Sequence, residues 1–379
     1  MYYGADSLQQ LPAELDRLAC RRAVVFCGQT LAHRTEGLRI VAEALGDRYA
    51  GVFDGVKAHS PLPAVLTGVE VLRALKADAV IAVGGGSAVV SARASSILLA
   101  EARDIHELCT QYRNGKPPLS PKLQRPKLPQ FVVATTPTTA YGKAGSAVVD
   151  PALGQRLALF DPKTRASALF IHPELALTAP PRLALGAGVQ AFAMAVQGIE
   201  SRSRDPLADA LLVHALRLLG RYLPGLLVDP DDAETRGQLM LGALLSGQGT
   251  DYAPSGLASA IAHCIGARFD LDNGIMNALI LPHAMRFNAP ATGNRLSLVT
   301  EALGVGVPDN ADAAVASAIR ATEQLFAQLG MPKRLRDVGV PEDALPQLAQ
   351  DAAGDWFLHQ NPRSVTDVTE LLEIFKAAW

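Results

Sequence analysis

The run Asp78-Ala79-Val80-Ile81-Ala82-Val83 passes without polar alternation into Gly84-Gly85-Gly86-Ser87, and a helical pattern over 88–101 follows. An apolar strand of that kind belongs in the middle of a parallel sheet covered on both faces. Three glycines at its end let the backbone approach a ligand closely. The next helix offers unpaired N–H groups with a partial positive charge, a combination that accommodates a pyrophosphate. Taken alone, the loop reads equally as a tight strand-to-helix turn with no ligand, and it is not the G-x-G-x-x-G fingerprint.

The neighbouring sequence extends the pattern. Buried strands are read over 22–27, 50–53 and 130–134, with helical stretches to about Leu45 and over 63–76. This alternation predicts an open parallel α/β domain over residues 1–172. Residues 114–127 are proline-rich and basic with few apolar positions, so they read as a surface excursion. After Pro173 strand-like runs fade, and helices are read over 182–200, 205–222, 231–249, 256–267, 311–329, 341–353 and 364–378. Asp231, Pro341-Glu342-Asp343 and the Ser364/Asp367 pair supply the start signals. The second domain, 173–379, is therefore expected to be all-helical, and no internal repeat is visible.

The chain has 379 residues, 49% apolar and 19% charged, enough for a large core and more than one domain. A net charge of −2 with scattered basic residues leaves no footprint for nucleic acid or an anionic membrane. Cys20, Cys27, Cys109 and Cys264 lack the paired spacing of a zinc knuckle or disulfide framework, so they read as reduced thiols. The first residues carry no signal-peptide pattern, and no uninterrupted apolar stretch approaches the roughly 20 residues of a membrane span. The expectation is a soluble cytoplasmic protein without nucleic-acid or membrane partners.

A second loop follows the strand over 130–134: Thr135-Thr136-Pro137-Thr138-Thr139-Ala140. Four hydroxyls after a strand end lie where ligands bind in open parallel sheets, though a hydroxyl-rich loop also makes local turns. Two such loops on one edge of one sheet favour the binding reading.

The pairing of Ile81–Ser87 with Thr136-Pro137-Thr138-Thr139 resembles the iron-containing (group III) alcohol dehydrogenase superfamily. Asp205-Pro206-Leu207-Ala208-Asp209-Ala210-Leu211, the segment 273–288, Asn361-Pro362-Arg363-Ser364-Val365-Thr366 and the closing Ala377-Ala378-Trp379 extend the likeness over almost the whole chain. Ala50-Gly51-Val52-Phe53-Asp54-Gly55 and His59-Ser60-Pro61 resemble the maleylacetate reductase branch. The resemblance implies the dehydroquinate synthase-like fold: an NAD(P)-binding α/β domain, a helical domain and an active-site cleft between them, often in a homodimer or larger assembly. It puts Gly84, Gly85, Gly86 and Ser87 on the pyrophosphate, and Thr135, Thr138 and Thr139 along the nucleotide. Gly28 stands where NAD-preferring members carry an acidic residue against the ribose. Without that carboxylate NADP is admissible, and NAD or NADP remains open.

Metal-containing members use one Asp and three His. The matching positions here are Gln190, Met194, Ser259 and Asn273. Four neutral side chains cannot offset the lost hydration of a divalent cation, so neither iron nor zinc is expected. The family's G-G-G-S-x-x-D-x-x-K continues here with Val90 and Arg93 in place of the Asp and Lys, and Ala140–Ser146 rewrites the usual glycine turn; both departures are expected to border the cofactor.

Without a metal, a side chain must give a proton or hydrogen bond to the substrate oxygen. His263 leads, because its position matches a family histidine beside the metal. His359 is second, and Tyr141 and Lys143 could orient an anionic substrate. The alternatives are a core histidine, a surface group at a helix end and a solvated lysine. The expected function is metal-independent NAD(P)-dependent hydride transfer on a small carbonyl, alcohol or activated alkene. The competing reading is a non-redox, catalytically silent nucleotide-binding scaffold.

Overall fold

The computed structural model describes residues 1–379 apart from 114–115, 270 and 307–309. The chain forms two compact units, one of residues 1–136 and 140–180, the other of 137–139 and 181–379.

The strands of the first unit, in chain order, are β1 (Tyr2–Tyr3), β2 (Ala23–Phe26), β3 (Tyr49–Phe53), β4 (Ala79–Gly84), β5 (Gln111–Arg113), β6 (Lys116–Leu119), β7 (Gln130–Ala134), β8 (Gly145–Asp150), β9 (Gln155–Phe160) and β10 (Ala166–Ile171). Among the described residues six of them form a sheet in the order β1-β10-β7-β4-β2-β3, parallel at every pairing. β4 and β7 run in register, Val80 opposite Gln130 through Gly84 opposite Ala134, so the two loops that follow start level. Val25, Ile81, Val83, Phe131 and Val133 are fully buried, each contributing about 1.5–3 kcal/mol of apolar transfer.

Three parts of this unit differ from the sequence reading. β10 and the short β1 extend the sheet beyond β7, and β8 pairs with β9 as an antiparallel hairpin. β8 alternates buried and half-buried residues, the sign of one covered face rather than two. β5 and β6 pair antiparallel, so part of the expected surface excursion is a ribbon; residues 114–115 of that stretch lie outside the described ones.

The second unit is helical. Its long helices are Pro181–Glu200, Pro206–Tyr222, Ala233–Tyr252, Leu257–Phe269, Asn273–Thr292, Ala311–Gln328 and Val368–Ala378, with Leu345–Ala353 before the last. Asp205 accepts from Leu207 N and Ala208 N, capping one start. Asp232, not Asp231, caps the Ala233 helix, and Asp367, not Ser364, caps the last one. The Asn273–Thr292 helix was not anticipated, because Pro282 and Pro290 lie inside it. An interior proline costs about 3 kcal/mol. Here Asp272 caps the start through Gly274 N and Ile275 N, and Met276, Ile280, Leu281, Ala284 and Met285 are fully buried, which offsets that cost.

No uninterrupted apolar run of membrane-span length occurs, but among the described residues the helices over 181–200 and 206–228 pass a test of length and mean hydropathy, polar residues included. The first has 78% of its apolar window inside the unit, so core packing accounts for its composition; the second has 33%.

Candidate active site

The chain runs from β2 outward to β3 and then returns past β2 to β4. That reversal opens a crevice at the carboxyl ends of β2 and β4, the place where open parallel sheets bind nucleotides. Gly84–Ser87 stands at this edge. Gly84 has φ +144°, a backbone conformation that favours glycine. A Cβ on Gly85 would lie 2.4 Å from Thr136 Oγ1, so the loop after β7 leaves no room for a side chain there. The helix Gly86–Glu101 starts at Gly85 with no side-chain cap, which leaves its first-turn N–H groups to a ligand or water. Thr135 N donates to Gly84 O over 3.1 Å, joining the two loops. The residues present fit a dinucleotide pyrophosphate.

Two neighbours escaped the sequence reading. Ser60 is buried and donates from Oγ to Ser87 O over 3.2 Å, while His59 and Ser60 both hold positive φ, 58° and 50°. Such paired left-handed residues cost energy, and here the strain tethers the glycine loop. No sequence pattern announces it. Gly28 starts the short helix Gln29–Arg34 and bridges to Gly55, and the adjacent Asp54 takes His33 Nε2 at 2.6 Å. A carboxylate therefore follows β3, although Gly28 itself has none. Cys27, at the end of β2, is pushed up to about 12 by burial, which makes it inert as a nucleophile.

Arg93 sits deep in the first unit. Its guanidinium donates to Gly145 O (2.6 Å), Ala140 O (3.1 Å), Thr164 O (3.3 Å) and Gln130 Oε1 (3.3 Å). Expected beside the cofactor, it instead pins the turn over 139–142 and the start of β8. Tyr141 is only 1% exposed in the same turn, which corrects the idea that it meets a substrate. Lys143 is half-buried, its N–H bonded to Ala140 O.

Thr138 and Thr139 cluster with the second unit. The Thr139 hydroxyl donates to Met194 Sδ over 3.4 Å. Gln190 and Met194 lie on the Pro181–Glu200 helix, half-buried and buried. Ser259 is buried, its N–H bonded to Gln197 Oε1, which also accepts from Gly256 N. Asn273 begins the next helix and accepts from Asn277 Nδ2 through its carbonyl. Gln197 thus fixes the start of the helix that carries Ser259 and His263.

His263 is held on two sides. Nδ1 lies 3.3 Å from Asp355 Oδ2, and the Phe357 ring meets the imidazole edge-on at 4.9 Å between centroids. Asp355 Oδ1 accepts from Phe357 N at 2.9 Å, so one carboxylate both caps the turn Trp356–Gln360 and faces the histidine. The pair is 92 residues apart in sequence, and an Asp before an aromatic pair reads only as a cap. His359 has another setting: exposed, it lines a groove of about 380 Å³ with Arg202, Ser364 and Thr366.

The same unit holds a buried polar cluster. Glu200 Oε2 accepts from Asn288 Nδ2 at 3.2 Å, and burial pushes the carboxyl up to about 8. Leu257 N donates to Asn361 Oδ1, tying the cluster to the His263 helix.

Fold and edge chemistry define a nucleotide-binding α/β unit joined to a helical unit. Residues 1–173 match the iron-containing alcohol dehydrogenase family model, and 184–379 match the C-terminal model of the Fe-containing alcohol dehydrogenase family. The chain belongs to that family and is an oxidoreductase of its type, acting on alcohols or aldehydes. It is 29% identical to lactaldehyde reductase of Escherichia coli (strain K12), with 100% of this chain and 97% of the relative covered. NAD-dependent methanol dehydrogenase of Bacillus methanolicus is 27% identical, with 99% and 97% covered. Maleylacetate reductase of Sphingobium indicum is 28% identical, with 96% and 91% covered. The solved alcohol dehydrogenase from Oenococcus oeni shares the fold at a TM-score of 0.92 and 23% identity, with 100% and 97% covered.

Proposed function

We propose that the chain transfers hydride between a nicotinamide dinucleotide and a small aldehyde or alcohol without a metal ion, and that His263 handles the substrate proton. The observation that carries this reading is the donor set. Gln190, Met194, Ser259 and Asn273 are uncharged, Met194 Sδ already accepts from Thr139, and a dication needs charged or imidazole donors. Among the described residues, no cluster of three or more His, Cys, Asp or Glu replaces them. These residues do not fit iron or zinc.

The glycine loop keeps the features a pyrophosphate needs, and Gly84, Gly85, Gly86, Ser87 and Thr135 would hold the dinucleotide. When bound, the nicotinamide supplies or accepts the hydride. The rest falls to the chain. His263 gives its proton to the substrate oxygen in reduction and removes it in oxidation, the role a Lewis acid has elsewhere. A small, short-chain substrate fits the relatives' names, lactaldehyde and methanol among them.

The test is turnover of NADH and NADPH with lactaldehyde, propanal and maleylacetate after exhaustive chelation. Retained turnover supports the reading. Activity restored only by stoichiometric iron or zinc sinks it, and no nucleotide binding at all would favour a silent scaffold.

A further inference from the structure

We infer that Asp355 is a positioning residue for His263, which sets the tautomer and orientation of the ring so that Nε2 serves as the proton-transfer atom. This rests on the proposed role of His263. Three observations support it. The carboxylate is 14% exposed and the imidazole 16%, so their interaction at 3.3 Å is poorly screened by solvent. The carboxylate cannot swing away, because its other oxygen is bonded to Phe357 N at 2.9 Å. The ring is confined on one side, because Phe357, itself held by that bond and lying tilted against Trp356 with 3.9 Å between centroids, packs edge-to-face against it.

An ionised carboxylate only accepts hydrogen bonds. Facing Nδ1, it selects the imidazole that carries its proton there, which leaves the lone pair of the neutral ring on Nε2, across the ring from Asp355. In reduction the protonated ring gives the Nε2 proton to the oxygen left negative when the carbonyl carbon takes hydride. A C–H and an O–H bond form, the carbonyl π bond is lost, the dinucleotide is oxidised, and neutral His263 keeps its Nδ1 proton against Asp355. In oxidation the same lone pair takes the hydroxyl proton. Asp355 acts only through the ring.

Asp355→Asn isolates the effect. Asparagine is as good a cap as aspartate, so the turn Trp356–Gln360 keeps its bond to Phe357 N. Its amide N–H₂ would then face Nδ1 and force that nitrogen to accept, moving the ring proton to Nε2. The first readout needs no turnover. Selective ¹⁵N-histidine labelling should show His263 protonated on Nδ1 in the neutral wild-type protein and on Nε2 in Asp355→Asn. The second uses NADPH or NADH with lactaldehyde. Here kcat should fall about 100-fold in Asp355→Asn with KM within about threefold, and Asp355→Glu should recover at least about tenfold.

An unchanged tautomer in Asp355→Asn, or a wild-type ring protonated on Nε2, would overturn the inference whatever the activity. If His263→Gln lowers kcat and Asp355→Asn does not, Asp355 has no positioning role while the reading of His263 stands. If His263→Gln leaves kcat intact, the reading of His263 fails first, and the inference with it.

Discussion

Asn361 and Asn288 exchange hydrogen bonds: Asn361 Nδ2 donates to Asn288 Oδ1 over 2.6 Å, and Asn288 Nδ2 reaches Asn361 Oδ1 at 3.2 Å. The same Asn288 nitrogen is what Glu200 has to accept from, while Glu200 Oε1 is buried without a hydrogen-bond partner among the described residues. A carboxylate so placed is unfavourable, and a protonated carboxyl is tolerated.

Stability should therefore fall as pH rises. Unfolded, Glu200 loses its proton near 4.5; folded, it does so near 8. Between those values folding takes up a proton, so the raised value is an advantage that is complete below 4.5 and gone above 8. Urea unfolding from about pH 5 to about pH 8 should show Glu200→Gln gaining on the wild type steadily, reaching on the order of a few kcal/mol. Parallel profiles for the two proteins would contradict this.

Gly28 has room for a side chain. Its backbone is extended, and a Cβ there would meet only Val56 O at 3.6 Å. Gly28→Asp should fold normally and place a carboxylate at the end of β2. The expected result is a loss of about tenfold or more in NADPH affinity relative to NADH, read by fluorescence titration.

The donor set makes a metal prediction that runs both ways. Wild-type protein dialysed against zinc should retain less than about 0.1 ion per chain, and the combined changes Gln190→Asp, Met194→His, Ser259→His and Asn273→His should retain about one. Elemental analysis decides it. Met194→His also removes the sulfur that Thr139 bonds, so melting temperature should be followed in parallel.

Gly85→Ala should cost about 1–3 kcal/mol through the 2.4 Å approach to Thr136 Oγ1, and should weaken dinucleotide binding as the loop shifts. Thr136→Ala removes the colliding oxygen. The double variant should recover most of the lost stability in thermal melts, and equal, additive losses would place the strain elsewhere.

The sheet core was readable because β2, β4 and β7 are buried on both faces and carry unbroken apolar runs. β8 has one covered face, β10 begins with small half-exposed residues, and β1 is two residues long, so periodicity had little to act on. The helix Asn273–Thr292 hid behind Pro282 and Pro290, which tertiary burial overrides. Site positions on the glycine loop followed from local pattern. Asp355, Ser60 and Arg93 did not, because their partners lie 92, 27 and up to 71 residues away. Tyr141 was misread for the same reason: nothing local shows that a loop tyrosine is covered.

Pro137, Thr138 and Thr139 group with the helices although the residues on either side group with the sheet. A Cβ on Gly188 would touch Pro137, and one on Gly247 would lie 2.4 Å from Thr139 O, so these helices are shaped around that tripeptide. Severing the chain at residue 180 would leave the downstream fragment with an unfilled notch at Gly188, Met194 and Gly247. Neither half is then a finished folding unit, and translation of the sheet half must deliver three residues to helices not yet made.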